Sequence, residues 1–258
     1  MKITSYEILT DKRISPLTLA VVADLHAKPA RNVIKALEKI KPDAIVSPGD
    51  MFECFVPEND KKNKNGFDFF EHAARIAPVY YCFGNHEIEG QSDTSNPDIS
   101  GYKSIPPHIL DRLSDIGVHT VFDSFELYDQ SIAICGLLSG QHRTSGLPNL
   151  NLIKEFEQLD AYKILLCHHP EYYEAYLSER DVDMIISGHA HGGQWRIFGR
   201  GIYAPGQGLF PKYTSGMHDG KLIISRGCSN STRPIPVPRF FNPCEILKIE
   251  IKSKSSKN

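Results

Sequence analysis

The stretch Asp183-Met184-Ile185-Ile186-Ser187-Gly188-His189-Ala190-His191-Gly192-Gly193-Gln194 decides how the chain is read. An apolar run enters a glycine-rich turn that carries two histidines at i and i+2. In an extended strand that spacing points both side chains to the same face. In a tight glycine turn the backbone can also approach a bound ion closely. Two imidazoles converging at the end of a strand suit a borderline metal such as Zn, Mn, Fe or Ni. Alone, His-x-His is equally the text of two exposed loop histidines, so its meaning depends on what precedes it.

Four earlier apolar runs end in the same kind of residue. Leu17 to Ala23 runs into Asp24-Leu25-His26, and Ala44 to Ser47 into Pro48-Gly49-Asp50. Val79 to Phe83 runs into Gly84-Asn85-His86-Glu87, and Lys163 to Cys167 into His168-His169-Pro170. These runs read as strands buried on both faces. Helical patterns separate them: Ala30 to Lys41 carries Val33, Ile34, Leu37 and Ile40 on one stripe and stops at Pro42. Phe67–Ile76, Pro107–Ile116, Leu150–Leu159 and Glu171–Leu177 also read as helices. Further strands are expected at Ile3–Leu9, Thr120–Phe122, Phe125–Tyr128, Ser131–Leu137, Gln194–Ile197, Lys221–Ser225 and Glu245–Ile251. This alternation predicts an α/β fold, in which ligands bind beyond the carboxyl ends of the strands. Five strand ends rich in nitrogen and oxygen donors are expected to converge on one place. The polar segments 56–66 and 91–102 each follow a donor-bearing motif and read as exposed loops beside it. The tail 252–258 reads as frayed. With no internal repeat and no long linker, residues 1–258 are expected to form a single domain.

Composition narrows the class. The chain has 258 residues, 41% hydrophobic and 23% charged, with a formal net charge of −2. No strong overall field recruits nucleic acid or an anionic surface, although a local basic patch is compatible with that balance. The six cysteines are scattered without a C-x-x-C pair and read as free thiols packed as small hydrophobes. Met1 to Ile14 lacks the apolar core of an export signal, and no run approaches membrane-span length. A cytoplasmic location is expected, compatible with peripheral association with a membrane.

In order, the donor text is Asp24-x-His26, Gly49-Asp50, Gly84-Asn85-His86-Glu87, His168, then Gly188-His189-x-His191. As a set it resembles the calcineurin-like metallophosphoesterase superfamily, over about Asp24 to His191. Gly192-Gly193-Gln194 and Ala204-Pro205-Gly206-Gln207-Gly208-Leu209-Phe210 are similar to one bacterial branch, which includes cell-envelope phosphodiesterases and enzymes that cleave the pyrophosphate of UDP-diacylglucosamine. The resemblance implies a four-layer α/β/β/α sandwich, two mixed sheets packed together with helices outside. It also implies two divalent or trivalent metal ions. Asp50 would bridge them, Asp24, His26 and His191 would hold the first, and Asn85, His168 and His189 the second. A ligand set without cysteine should accept Mn, Fe, Zn, Ni or Co rather than select one. Two such ions, about 3.5–4 Å apart in enzymes of this type, can hold a phosphate, generate a nucleophile and stabilise the leaving oxygen. His86 is implied as the general acid for that oxygen, with Glu53 orienting it. Phosphoprotein phosphatases carry an Asp followed by Arg at this point. Here the text is Glu53-Cys54, which removes a phosphate clamp and argues against a protein phosphatase.

Other residues have weaker claims. His169 could replace His168 as ligand, sit behind it or be exposed, and His168 is favoured because it directly follows the strand. His142, Arg226, Arg233 and Arg239 are candidates for substrate contact. The expected reaction is hydrolysis of a phosphodiester, pyrophosphate or phosphomonoester, with a diester or pyrophosphate favoured by the branch text. A phosphorylated small molecule, nucleotide sugar or lipid head group is the expected substrate. A nuclease is the enzymatic rival, disfavoured by the charge balance and by the lack of a basic, aromatic-interleaved stretch. The non-enzymatic rival is a binding scaffold, which could lose ligands without penalty, whereas every motif position here is filled.

Overall fold

The computed structural model is described over residues 1–88, 105–138, 148–229 and 238–254. Two six-stranded sheets dominate it. The first contains β1 (Lys2–Thr10), β2 (Leu17–Val21), β3 (Ala44–Ser47), β4 (Val79–Tyr81), β5 (Val118–Thr120) and β16 (Glu245–Ser253), in the order β1-β16-β2-β3-β4-β5. The second contains β6 (Ser124–Leu127), β7 (Ile132–Leu137), β8 (Tyr162–Cys167), β9 (Met184–Ser187), β14 (Gly216–His218) and β15 (Leu222–Ile224), in the order β14-β15-β9-β8-β7-β6. Both sheets are mixed: β2, β3, β4 and β5 run parallel, as do β15, β9, β8 and β7, while β16/β2, β14/β15 and β6/β7 are antiparallel.

Strand alternation builds the layers. Leu19, Val21, Val46, Ile164, Leu166 and Ile186 share one core between the sheets. Their neighbours Ala20, Val22 and Ile45 face outward, onto α1 (Arg31–Ile40), α2 (Asp60–Ala73) and α4 (Pro107–Ile116) through Val33, Leu37, Phe69, Phe70, Ile109 and Leu113. Leu165 and Ile185 face the other way, onto Ile153 and Phe156 of α5 (Leu150–Glu157) and onto Tyr173 and Leu177. Helix, sheet, sheet, helix is therefore the layer order, as expected for strands that are apolar on both faces.

Helix ends follow local chemistry. Lys41 closes α1 in the left-handed conformation just before Pro42, and Gly117 closes α4 in the same way, donating to the Leu113 carbonyl. The exposed loop expected at 56–66 is instead a 3₁₀ turn, Pro57–Asn59, running into α2. Glu58, Asp60, Lys61, Lys62 and Lys64 are exposed, but two of the segment's polar residues turn inward. Asn59 Nδ2 donates to the Cys54 carbonyl (3.0 Å), Asn63 Oδ1 accepts from Glu53 N (3.0 Å) and Asn63 Nδ2 donates to the Glu53 carbonyl (3.1 Å). Two buried asparagines thus satisfy the backbone beyond β3, so their hydrophilic letters do not mark a solvated loop. Segment 91–102 lies outside the described residues. The tail is ordered further than expected: Lys252 and Ser253 belong to β16, and Ser253 Oγ accepts from Ile14 N at 2.9 Å. Gln194–Ile197 contributes only Arg196–Ile197 as strand, the first limb of a short hairpin (β10) with β11 (Arg200–Gly201). A second hairpin pairs β12 (Tyr203–Ala204) with β13 (Gly208–Leu209). Among the described residues no helix is long and apolar enough to cross a membrane.

Candidate metal centre

The adjacent parallel strands β2, β3 and β4 bring Asp24, His26, Asp50 and the helical turn α3 (Asn85–Ile88) to one end of the first sheet. Adjacent parallel β8 and β9 bring His168, His189 and His191 to the second sheet's matching end. The loops are tied across. Asp24 N donates to the Gly49 carbonyl (3.1 Å), His26 N to the Asp50 carbonyl (2.9 Å) and Gly188 N to the His168 carbonyl (3.2 Å). Asp24, His26, Asp50, His189 and His191 all have φ between 46° and 64°. For non-glycine residues this left-handed backbone is uncommon and tends to cluster at functional sites. Gly84 allows the closest approach: a Cβ there would lie 2.2 Å from Asp50 Oδ1.

Each central aspartate spends one oxygen on the backbone. Asp24 Oδ1 accepts from His189 N and Asp50 Oδ1 from His86 N, both at 2.9 Å. The other oxygens, Asp24 Oδ2 and Asp50 Oδ2, are buried without a hydrogen-bond partner, and so are His26 Nδ1, Asn85 Oδ1 and both ring nitrogens of His168. So many orphaned donors and acceptors would cost several kcal/mol in total if nothing filled the space among them, at about 1–3 kcal/mol each. Their types, carboxylate, imidazole and amide oxygen, are those that hold a hard or borderline cation. The residues therefore fit a metal ion. Among the described residues four groups have donor atoms within 4.8 Å of one another: Asp24 with His26 and His191, Asp50 with His168 and His189, His26 with Glu53 and His86, and His169 with Glu171 and His189. The first two contain the orphaned aspartate oxygens.

The electrostatics point the same way. Burial alone would lower His168, but the Asp50 carboxylate, 3.1 Å away, overrides it and pushes the imidazole up to about 9. The pull between them is one that a cation would satisfy equally. Burial and the surrounding imidazoles hold His189 and His191 well below the usual histidine range, so both rings are neutral and have lone pairs to give. Burial raises Asp24, while against its own burial Asp50 is held well below the carboxylate range by His168 and His86.

His86 stands at the rim, its side chain 12% exposed, with Nδ1 3.0 Å from Glu53 Oε2. Glu53 also lies 3.6 Å from His26 Nδ1. Burial works against the Glu53 charge, but His26 and His86 outweigh it and keep the carboxyl well below its ordinary range.

Residues 17–193 match the Calcineurin-like phosphoesterase family. The chain belongs to that family. Members are metal-dependent phosphoesterases in general, which accords with a buried donor set of this chemistry. The chain is similar to YpbG of Bacillus subtilis, 23% identical over 91% of this chain and 82% of that protein. It is similar to the metallophosphoesterase Cj0846 of Campylobacter jejuni, 28% identical over 90% of this chain and 56% of the relative. It is also similar to the phosphodiesterase YaeI of Escherichia coli, 26% identical over 71% of this chain and 63% of the relative. This chain therefore matches little more than half the length of some relatives.

The remaining sequence candidates separate. His169 does not face Asp50. Its Nδ1 lies 3.0 Å from Glu171 Oε1 and its ring stacks at a tilt on His189, with centroids 4.2 Å apart. Arg239 sits behind the centre, Nη2 3.2 Å from His191 Nδ1. Arg226 approaches Glu245, Nε to Oε1 3.7 Å. His142 and Arg233 lie outside the described residues. Sequence reasoning quoted Glu87 but gave it no role, and here it braces the centre. Its carboxylate accepts from Asp50 N (3.1 Å), Met51 N (2.6 Å), Phe52 N (2.9 Å), Gly84 N (2.7 Å) and Tyr81 Oη (2.7 Å). An acid directly after Asn85-His86 was the available signal. Glu171 was missed as well: it follows His168-His169-Pro170 and becomes a site residue only through the turn that proline starts.

Proposed function

We propose that the chain hydrolyses a phosphodiester or pyrophosphate at a binuclear metal centre. The observation that carries this reading is Asp50 Oδ2. It is buried without a hydrogen-bond partner, 3.1 Å from His168 Nε2 in one donor group and 3.8 Å from His26 Nε2 in the other. A carboxylate that reaches both groups is what a shared ligand requires. On this reading Asp24, His26 and His191 hold one ion, Asn85, His168 and His189 the other, and Asp50 both. Such an ion pair, drawn from Mn, Fe, Zn, Ni or Co, would neutralise the phosphate, supply a nucleophile at neutral pH and stabilise the leaving oxygen.

The chain's own groups do the proton work. His86 reaches the rim, where its ring would deliver a proton to the departing oxygen, and its Nδ1 is engaged by Glu53. Glu53 keeps the ring turned and favours its protonated form. Preference for a diester or pyrophosphate is supported by the Gly192-Gly193-Gln194 and Ala204–Phe210 text and by likeness to a named phosphodiesterase. The substrate is a phosphorylated small molecule, nucleotide sugar or lipid head group.

The test is metal content together with turnover of bis-p-nitrophenyl phosphate, after loading with each of the five metals. Two ions per chain and turnover are expected, followed by selectivity in a screen of nucleotides, UDP-sugars and lipid head groups. A chain that binds at most one ion, or that binds two and turns over nothing, would remove the proposal.

A further inference from the structure

The metal centre is polar and buried, but the chain beside it is apolar and exposed. Eight of the eleven large hydrophobic side chains exposed among the described residues fall within 195–210 and 240–241. They are joined into one surface. Trp195 bridges to Phe240, Trp195 Nε1 donates to the Pro238 carbonyl (3.0 Å), Ile202 N to the Trp195 carbonyl (2.9 Å) and Phe210 N to the Ile202 carbonyl (2.8 Å). Patches of this kind mark interaction sites rather than ordinary surface.

The backbone gives a second, independent indication. Phe198 is 101% exposed at the tip of the β10–β11 hairpin, with φ 48°. Phe210 is 76% exposed with φ 51°, and Phe241 is 88% exposed with φ 52°. A two-residue hairpin turn with positive φ takes Asn, Asp or Gly at least cost. A bulky aromatic there is an outlier. At one hairpin turn and two bends the chain accepts a left-handed backbone at an exposed phenylalanine, a cost that an interaction of the rings would offset.

Charge says what covers them. Residues 194–213 and 238–244 hold no Asp or Glu, in a chain whose net charge is −2. Of their basic residues Arg200 is exposed, while Arg196 is held by the Gly192 carbonyl and Ser215, Lys212 pairs with Glu174 (3.2 Å) and Arg239 turns to His191. Exposed phenylalanines, tryptophan and tyrosine with the exposed Arg200 in the same stretch match a bilayer interface.

We propose that this surface docks the chain on an anionic lipid membrane, inserting Phe198, Phe210 and Phe241 among the head groups. The surface is tied to the metal centre. Asn242 Nδ2 donates to the carbonyls of His191 (2.7 Å) and Gln194 (3.1 Å), and Arg239, next to Phe240, contacts His191. Docking would therefore hold the centre at the lipid surface. The proposal does not depend on the phosphoesterase reading, because its readout is binding.

Trp195 is the chain's single tryptophan and therefore reports directly on insertion. The full chain is titrated with vesicles of phosphatidylcholine alone and of phosphatidylcholine with phosphatidylglycerol, followed by sedimentation and by tryptophan emission. Binding to the anionic vesicles, a blue shift, and quenching by brominated acyl chains are expected. Phe198→Ser/Phe210→Ser/Phe241→Ser should weaken partitioning at least about tenfold, since binding scales with the apolar area inserted. Arg200→Glu should weaken binding to anionic vesicles alone. The melting temperature of each variant, close to that of the parent, shows that it is folded. Absence of partitioning by the parent chain, or equal partitioning by the triple variant, overturns the proposal. A dimer in sedimentation velocity that the triple variant abolishes, with no vesicle binding by the parent, assigns the surface to a second copy and overturns it too.

Discussion

The first sheet gives the candidate centre Asp24, Asp50, Glu53 and Glu87 together with His26, Asn85 and His86, and the second gives mainly imidazoles, with Glu171 as its one nearby carboxylate among the described residues. Asp24, Asp50, Glu53 and Glu87 all lie beyond β2, β3 and β4, whereas His168, His189 and His191 lie beyond β8 and β9. The bracing differs accordingly. In the first half, Asp24 N, His26 N and Ala27 N donate to the carbonyls of Gly49, Asp50 and Met51, and Glu87 gathers five donors. The second half leans on the first, with His189 N donating to Asp24 Oδ1. A buried carboxylate is tolerated only with donors or a cation around it, while a neutral imidazole is buried at far lower cost. The difference indicates that negative charge and rigidity are built into one half and lone pairs supplied by the other. Losing a first-half carboxylate should then cost more than losing any one second-half ring.

The largest effect tests that asymmetry at its centre. Asp50→Asn removes the oxygen that faces both donor groups and the charge that His168 answers. Activity is expected to fall by about 10⁴-fold, the scale on which a metal-assisted step depends on its ions, and metal analysis should find less than two ions per chain. Near-native turnover with full occupancy would break the comparison at once.

Next comes the rim. His86→Asn is expected to cost about 10²–10⁴-fold on alkyl esters, the range of general-acid catalysis, and distinctly less on p-nitrophenyl esters, whose leaving group needs no proton. Metal content should stay normal. Glu53→Gln should follow the same leaving-group trend more weakly, because it acts through His86. A loss equal across leaving groups, or one that follows metal loss, would move His86 from the departing oxygen to the ion site.

Glu87→Gln tests the brace itself. The new amide must turn hydrogens toward backbone N–H groups that now point at a carboxylate. Leaving such donors unpaired costs about 1–3 kcal/mol. The melting temperature of the metal-free protein should drop, while Glu171→Gln, in the second half, should leave it nearly unchanged. Equal shifts for the two variants would show that the halves are braced alike.

Much of this was legible in the chain because it was written at strand ends. Apolar runs such as Ala44–Ser47 and Met184–Ser187 announce strands, and a donor just beyond each follows from where a parallel strand delivers the chain. What was not legible depended on direction rather than type. Asn59 and Asn63 have the letters of a loop, but they face inward to satisfy the backbone around Glu53. Arg226 was read only as a candidate phosphate contact, and its approach to Glu245, distant in sequence, was not visible. Glu87 was visible as a letter only, since its role lies in donors gathered from residues 50–52, distant in sequence, as well as from Tyr81 and Gly84. Phe198 and Phe241 drew no comment in the sequence, because an aromatic residue reads as core until the fold leaves it outside.

The smallest expected effect divides two neighbours that the sequence could not. His168 and His169 are consecutive, and each ring approaches His189, with centroids 5.1 and 4.2 Å away. Only His168 also meets Asp50, at 3.1 Å, while His169 turns its Nδ1 to Glu171. If position toward the first half makes a ligand, His168→Asn should lower metal occupancy and His169→Asn should not. His169 then only steadies the His189 ring, a packing and hydrogen-bonding role whose loss is worth about 1 kcal/mol, or roughly fivefold in rate. A variant that keeps the bond to Glu171, His169→Gln, should recover part of that, and a ligand swap would recover nothing. The measurement is metal stoichiometry and turnover for the three variants side by side. If His169→Asn empties a site as thoroughly as His168→Asn, the ligand on the second half is shared between the two rings, and the contrast between a charged, braced half and a simple imidazole half no longer holds at that point.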